Sequence, residues 1–230
     1  RDNIVETKTA SESYIAEINK LENKLKTLNK ELLMCSQKTS KKRKKTAILL
    51  ESIIKQNLDH LNMPQTQFKI NLTSNPDNIL DTGMDLCEFF ISTNIGEELR
   101  PVVKIASGGE ISRIMLAIKS LLAQYMQLPT IMFDEIDTGV SGEVSTKMGG
   151  IMHEMSKTMQ VFTITHLPQV AAKGDVQFKV FKEDKGGVTA SQIKQLTEDE
   201  RVQEIAEMLG GKDVSSSAMA HAKELLLKKV

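Results

Sequence analysis

The chain of 230 residues has no tryptophan, only two tyrosines, and aromatic side chains at 4% of positions. That supply is too thin for a sandwich with an aromatic core, and it points to helix-rich packing on Leu, Ile and the 12 Met residues. Cysteine is scarce too. Cys35 and Cys87 have no second Cys or His at metal-ligand spacing, which excludes a disulfide framework or zinc ribbon and makes a reducing cytoplasm the expected compartment. No apolar run reaches the length of about 18 residues needed for a membrane span, and no charged-then-apolar leader suggests secretion. Neither Pro nor Gly occurs between Arg1 and Asn62. Net charge is also missing, since 30 Lys+Arg balance 30 Asp+Glu, but the balance is not local. Residues 1–61 carry 13 basic against 8 acidic side chains, leaving 17 against 22 in 62–230. A basic arm on an acidic body points weakly to a polyanionic partner.

The Gly- and Pro-free arm has a helical pattern. Tyr14, Ile18, Leu21, Leu25, Leu28, Leu32 and Cys35 alternate spacings of four and three, a heptad seam of about three repeats. Glu22 and Lys26 form a favourable flanking pair. The seam fails at Thr39 and Lys42, and apolar spacing resumes at Leu50, Ile54, Leu58 and Leu61. One helix with a stutter near 41–46, ending before Pro64, is the simplest reading. Its seam needs a partner, and no second heptad segment occurs in the chain, so the partner is another copy or a segment absent from this sequence. Lys38, Lys41, Lys42, Arg43, Lys44 and Lys45 form a basic cluster on this helix. It reads either as a solvated face or as a set of phosphate contacts to nucleic acid, with no interleaved aromatics for base stacking.

Beyond the arm, strands are expected at 67–72 and 85–93, a connection over 94–103, and an amphipathic helix over 109–125. A strand over 130–135, a helix over 142–157 and a second apolar strand over 160–165 follow. Segments 175–181 and 188–196 alternate around Asp184-Lys185-Gly186-Gly187, a hairpin signal. Two helices, 198–209 and 215–228, close the chain, the first stopped by Gly210-Gly211.

Three motifs carry chemistry. Ser107-Gly108-Gly109-Glu110 precedes a helix, where glycines allow close approach and unpaired N–H groups favour an anion; an ordinary capped turn would look the same. Thr130-Ile131-Met132-Phe133 ends in Asp134-Glu135. An unalternating apolar strand reads as part of a parallel sheet covered on both faces, and ligands of such sheets sit at the carboxyl edge. One of its two acids can hold Mg²⁺ while the other orients or deprotonates a water; alternatively Asp134 caps the next element and Glu135 is solvated. His166 ends the second apolar strand in the same layout, with Asp137-Thr138-Gly139-Val140-Ser141-Gly142 between. Parallel neighbours would bring His166 and Glu135 to one crevice.

The order Ser-Gly-Gly-Glu, apolar strand with Asp-Glu, Asp-led Gly/Ser loop, and strand with His resembles the back half of an ABC-type ATPase head: signature motif, Walker B, D-loop and switch histidine. Residues 102–122, Thr138-Gly139-Val140-Ser141-Gly142, Thr165-His166-Leu167-Pro168-Gln169-Val170-Ala171 and Glu204-Ile205-Ala206-Glu207-Met208-Leu209-Gly210-Gly211 are similar to the RecN family of DNA-repair ATPases. That family belongs to the structural-maintenance-of-chromosomes (SMC) class, in which a long coiled coil separates the two halves of the head. The resemblance covers residue 40 to the end. It implies an α/β fold, the C-terminal lobe of an ABC-type P-loop NTPase head with a mostly parallel sheet and flanking helices, carrying a long N-terminal coiled-coil helix. The division expected is 1–61 for the coil and 62–230 for the lobe.

One departure stands out: no Gly-x-x-x-x-Gly-Lys-Ser/Thr phosphate loop occurs, so the chain resembles the C-terminal half only. The resemblance implies ATP and Mg²⁺ as ligands of the intact protein. Asp134 would hold Mg²⁺, Glu135 would act as general base and His166 would touch the γ-phosphate. Ser107, Gly108, Gly109 and Glu110 would meet a nucleotide bound to a second head, and Asp137 would couple the sites. The implied partners are DNA ends or single-stranded tails, the protein's own N-terminal half, and a second copy. By itself the chain is expected to be inactive. The alternatives are a tethering element without chemistry, holding DNA by Lys41, Lys42, Arg43, Lys44 and Lys45, and another coiled-coil ATPase of the condensin or Rad50 kind.

Overall fold

A helix free of breakers has little reason to stop before Pro64, and it ends at His60, shortly before that proline. In the computed structural model, which describes residues 2–104, 107–185, 188–211 and 213–227 (side chains of 2–11, 185 and 188 excepted), α1 runs unbroken over Asp2–His60. It is followed by β1 (Gln67–Ser74), β2 (Asp85–Ser92), the short β3 (Arg100–Pro101) and a 3-10 turn (Val102–Lys104). Then come α2 (Gly108–Met126), β4 (Thr130–Asp134), α3 (Gly142–Ser156), β5 (Gln160–Ile164) and α4 (Pro168–Ala171). A hairpin of β6 (Phe178–Lys185) and β7 (Val188–Gln195) precedes α5 (Glu198–Gly210) and α6 (Ser216–Leu227). The Gly186-Gly187 tip, Ile105-Ala106 and Lys228 lie outside the described residues. No described helix is long and apolar enough to cross a membrane.

The chain divides into two compact units, one taking in residues up to Ser52 with Lys69–Phe90, the other Ile53–Phe68 with everything from Ile91. In the first, the heptad seam Tyr14, Ile18, Leu21, Leu25, Leu28 and Leu32 is exposed. The loss of the seam below Cys35 has a physical cause that a hydrophobic pattern does not reveal. Ser36, Ser40 and Ala47 are buried, and the stripe they form with Arg43 and Glu51 faces β1 and β2. Small polar residues let the helix come close to the strands. Ser40 Oγ lies 3.3 Å from Ser74 Oγ, and Ser74 donates to Asp85 at 2.8 Å. Arg43 donates to Asp85 at 3.2 Å and to the Thr82 carbonyl at 2.7 Å, while Glu51 accepts from the Ile70 amide at 2.9 Å. Burial pushes the Asp85 carboxyl up, but hydrogen bonds from Ser40, Ser74 and Arg43 outweigh it and hold the group below the usual aspartate range. Arg43 is thus committed to the strands, whereas Lys38, Lys41, Lys42, Lys44 and Lys45 are exposed.

In the second unit, β4 and β5 are parallel neighbours in the register Thr130↔Gln160 to Asp134↔Ile164. Parallel strands need a crossover, and α3 supplies it. Their inner face is buried through Phe133, against an α3 whose core positions are Met148, Met152 and Met155. Here methionine fills the role that aromatics hold elsewhere, and Thr163 Oγ1 points at Met152 Sδ 3.6 Å away. The outer face differs from the expectation of a strand covered on both sides: Met132 is 62% exposed, Phe162 42% and Ile164 53%. The β6–β7 hairpin likewise presents Phe178, Val180 and its cross-strand partner Ile193 to solvent.

Helices α5 and α6 pack through Ile205, Ala206 and Ala222 with Ala172 from the end of α4. A reciprocal capping box starts α5, with Thr197 N donating to Glu200 at 3.0 Å and Glu200 N to Thr197 Oγ1 at 3.4 Å. Arg201 is a buried cation. It donates to the carbonyls of Gly174 at 2.6 Å and Asp175 at 3.2 Å, fixing the loop after α4.

Candidate functional site

All three motifs lie in the second unit. β4 ends at Asp134, and the next residue turns sharply: Glu135 has φ of 46°, the left-handed region that a side chain with a Cβ rarely occupies. The turn is held on both sides. The Glu135 amide donates to the Ile164 carbonyl at 3.1 Å, extending the ladder one step beyond the strand. Its carbonyl accepts from Thr138 twice, from the amide at 3.2 Å and from Oγ1 at 2.8 Å. The peptide is pinned while the carboxylate is exposed at the edge, as is that of Asp134. His166, two residues beyond Ile164, is exposed at the same carboxyl end. The parallel pairing therefore brings Asp134, Glu135 and His166 to one sheet edge.

Asp137 behaves differently. Expected at an interface, it is fully buried, so its carboxylate is not itself offered to a partner. One oxygen accepts from Thr165 Oγ1, and that hydroxyl in turn accepts from the Leu167 amide at 2.9 Å. Thr165 thus ties the loop after β4 to the residues on either side of His166. The other oxygen, Asp137 Oδ1, is buried without a hydrogen-bond partner. Thr165 stood out in the sequence only as the first residue of the Thr165–Ala171 segment that resembles the family, because a threonine ending a strand is otherwise ordinary.

The glycine motif starts α2 as expected. Ser107 is the N-cap, extended at φ −86° and ψ 116°, yet its side chain makes no cap bond and is exposed. Its hydroxyl is therefore not consumed by the helix. The two glycines differ. A methyl group built on Gly109 would stand 2.4 Å from the Gly139 carbonyl oxygen, and Gly139 itself has φ of 75°. Backbone touches backbone there. Gly108, by contrast, has nothing within 4 Å of where a methyl would go. Ser112 completes the contact by donating to the Thr138 carbonyl at 3.1 Å. The 107–109 turn and the loop after β4 form one block. Glu110 occupies the first helical turn, half-buried.

Among the described residues, no group of three or more His, Cys, Asp or Glu side chains is assembled as a metal cage. Mg²⁺ commonly takes only one or two carboxylates and completes its shell with water and phosphate, and exposed Asp134 could serve as such a ligand.

No protein-family model matches the chain. It is 40% identical over 190 residues to the DNA repair protein RecN of Vibrio cholerae, covering 83% of this chain and 34% of that protein. It is 38% identical over 229 residues to the DNA repair protein RecN of Bacillus subtilis, covering 94% of this chain and 40% of that one. The chain thus spans about a third to two-fifths of these relatives' length. Among solved structures, an Smc head domain with coiled coil and joint from Pyrococcus yayanosii aligns at a TM-score of 0.54 and 19% identity, over 72% of this chain and 29% of that one. An Smc head domain from Pyrococcus furiosus, bound to the C-terminal domain of ScpA, aligns at 0.52 and 20%, over 73% of this chain and 39% of that one. These likenesses show the fold. With the relatives at 38–40% identity, they show a chain that is similar over most of its length to part of the RecN DNA repair proteins and that has the fold of part of an Smc head domain.

Proposed function

We propose that this lobe supplies the catalytic edge and the signature turn of an ATP-hydrolysing head acting in repair and recombination at DNA double-strand breaks. The observation that carries the reading is Glu135, held in a left-handed turn at the carboxyl end of a parallel strand with its carboxylate free. Strained backbone of this kind costs about 1–3 kcal/mol and persists where the surroundings enforce it, commonly at active sites. Asp134 holds Mg²⁺ together with the phosphates of ATP. Glu135 accepts a proton from the attacking water, and His166 contacts the γ-phosphate. Ser107, Gly108, Gly109 and the dipole of α2 present donors to a nucleotide carried by a second head, with Glu110 at the edge of that contact. Asp137 acts from inside, through Thr165, on the position of His166. Catalysis of this type is mostly positioning and charge stabilisation.

The phosphate loop is supplied by the remainder of the head, which also covers Met132, Phe162 and Ile164. A parallel sheet with one bare face supports that partner, since such sheets are normally covered on both sides. DNA is bound outside the nucleotide site. The exposed Lys38, Lys41, Lys42, Lys44 and Lys45 favour phosphate contact, and Arg43, held by Asp85, contributes little. The setting is the bacterial cytoplasm, in contact with the nucleoid.

The test is ATP hydrolysis by this chain, alone and co-expressed with the N-terminal part of a RecN head, with and without DNA. The chain alone is expected to be inactive and the pair active, with Glu135→Gln abolishing turnover. Reversing the charge of the four lysines 41, 42, 44 and 45 should remove the DNA effect and its steep salt dependence. Turnover by the isolated chain that is lost in Glu135→Gln would overturn the assignment of the phosphate loop to the missing part.

A further inference from the structure

The root of α1 and the two loops of the site close into a ring of contacts. Asn62 lies just past the helix end in the left-handed conformation, with φ of 59°. Its backbone and its side chain address different partners. Arg113 of α2 donates through Nη1 to the Leu61 carbonyl at 3.2 Å and the Asn62 carbonyl at 3.5 Å, and through Nε to the Gly109 carbonyl at 3.0 Å. One planar guanidinium therefore joins the end of α1 to the signature glycine, where the negative end of the helix dipole favours a cation. The Asn62 side chain turns to α3: Oδ1 accepts from Lys147 at 2.6 Å, and Nδ2 donates to Glu143 at 3.4 Å. Lys147 and Glu143 are themselves paired at 2.9 Å, one turn apart. Hydrogen bonds from Lys147 and then Asn62 hold the Glu143 carboxyl below its usual range. Glu143 directly follows Gly142, the end of the loop that begins at Asp137. The ring closes where Gly139 meets Gly109 and Ser112 bonds Thr138.

We propose that Asn62 and Arg113 are positioning residues that make the placement of the 107–109 turn and the 137–142 loop depend on the end of α1. Neither residue touches the proposed nucleotide. A shift of α1 at Leu61–Asn62 moves Arg113, and with it the Gly109 carbonyl. It also moves Lys147 and Glu143, and with them the start of α3. For its use in hydrolysis the coupling rests on the nucleotide reading above, but its physical existence does not.

The experiment is amide hydrogen exchange on the whole chain, for the wild type, Asn62→Gly and Arg113→Lys. Glycine keeps the left-handed backbone and removes the bonds to Lys147 and Glu143. Lysine keeps the charge and loses the fork that reaches both ends. Losing one or two net hydrogen bonds predicts roughly tenfold faster exchange. The rise is expected at 108–113 for Arg113→Lys and at 137–143 for Asn62→Gly, with Phe133 and Ile205 amides unchanged. A rise confined to 57–66, or a uniform rise that includes Phe133 and Ile205, would overturn the coupling, the second because the contacts would then serve stability alone. In the reconstituted head, Asn62→Gly is expected to lower hydrolysis, because the 137–142 loop that Asn62 holds belongs to the proposed site. Exchange needs no nucleotide. A positive exchange result with an inactive head would count against the nucleotide reading and leave the coupling standing.

Discussion

Two neighbouring glycines separate what the fold requires from what a ligand requires. Gly109 is fixed by packing: any Cβ there meets the Gly139 carbonyl. Gly108 is not, since the space beside it is open. Gly108→Ala should therefore leave stability within about 0.5 kcal/mol of wild type, because exposed substitutions away from special features do so. On the proposed function it should still impair hydrolysis by the assembled heads, because the methyl would intrude where the nucleotide is proposed to approach. Gly109→Ala should cost about 1–3 kcal/mol, as overpacking does, before function is considered. Thermal melts of the two variants, set against ATPase of the assembled head, check this. Equal stability losses would mean that Gly108 is also structural and would remove one support for the site.

At the scale of elements, the joint between α1 and the β1–β2 strands depends on a buried carboxylate. Asp85 holds Arg43 and Ser74, and its pKa is depressed in the folded state. A depressed carboxyl contributes stability that is complete above its unfolded value, near 3.8, and is lost as pH falls through the lower folded value. Acid should thus loosen this joint, and Asp85→Asn should lower the melting temperature at neutral pH while flattening its decline in acid. Circular dichroism melts from pH 7 downward measure both, and an unchanged acid limb would remove Asp85 from the account. The same joint shows where the sequence was legible. Leu and Ile at heptad spacing announced the upper seam, and the absence of Pro and Gly announced an unbroken helix. Ser36 and Ser40 announced nothing, because a serine that allows close packing looks like a serine on the surface. The longer strands and helices of the second unit followed from apolar period and glycine punctuation, whereas the short β3, the 3-10 turn after it and α4 did not. Their mutual fixing through Thr165, Arg113 and Asn62 depends on contacts between residues 28 to 85 positions apart, which no local window contains.

For the whole molecule, the deciding fact is apolar surface left bare. The outer face of β4–β5, the outer face of β6–β7 and the seam of α1 are all exposed, and each is the kind of surface that proteins cover. In isolation the chain should associate with itself, and co-expression with the rest of a RecN head should replace that association. Light scattering on the purified chain is expected to find more than one copy per particle, and a 1:1 pair once the other part is present. A strictly monomeric chain at micromolar concentration would contradict this.

The Gly109–Gly139 contact has a consequence for inheritance. Coupled positions usually reveal themselves because a change at one is compensated at the other. Here each backbone occupies the space that the other's side chain would need, so no substitution at 139 makes room for one at 109. Across descendants of this gene the pair should stay fixed rather than vary together. A search for co-varying positions would therefore pass over the contact that welds the two loops, although neither residue of the pair has room for a side chain.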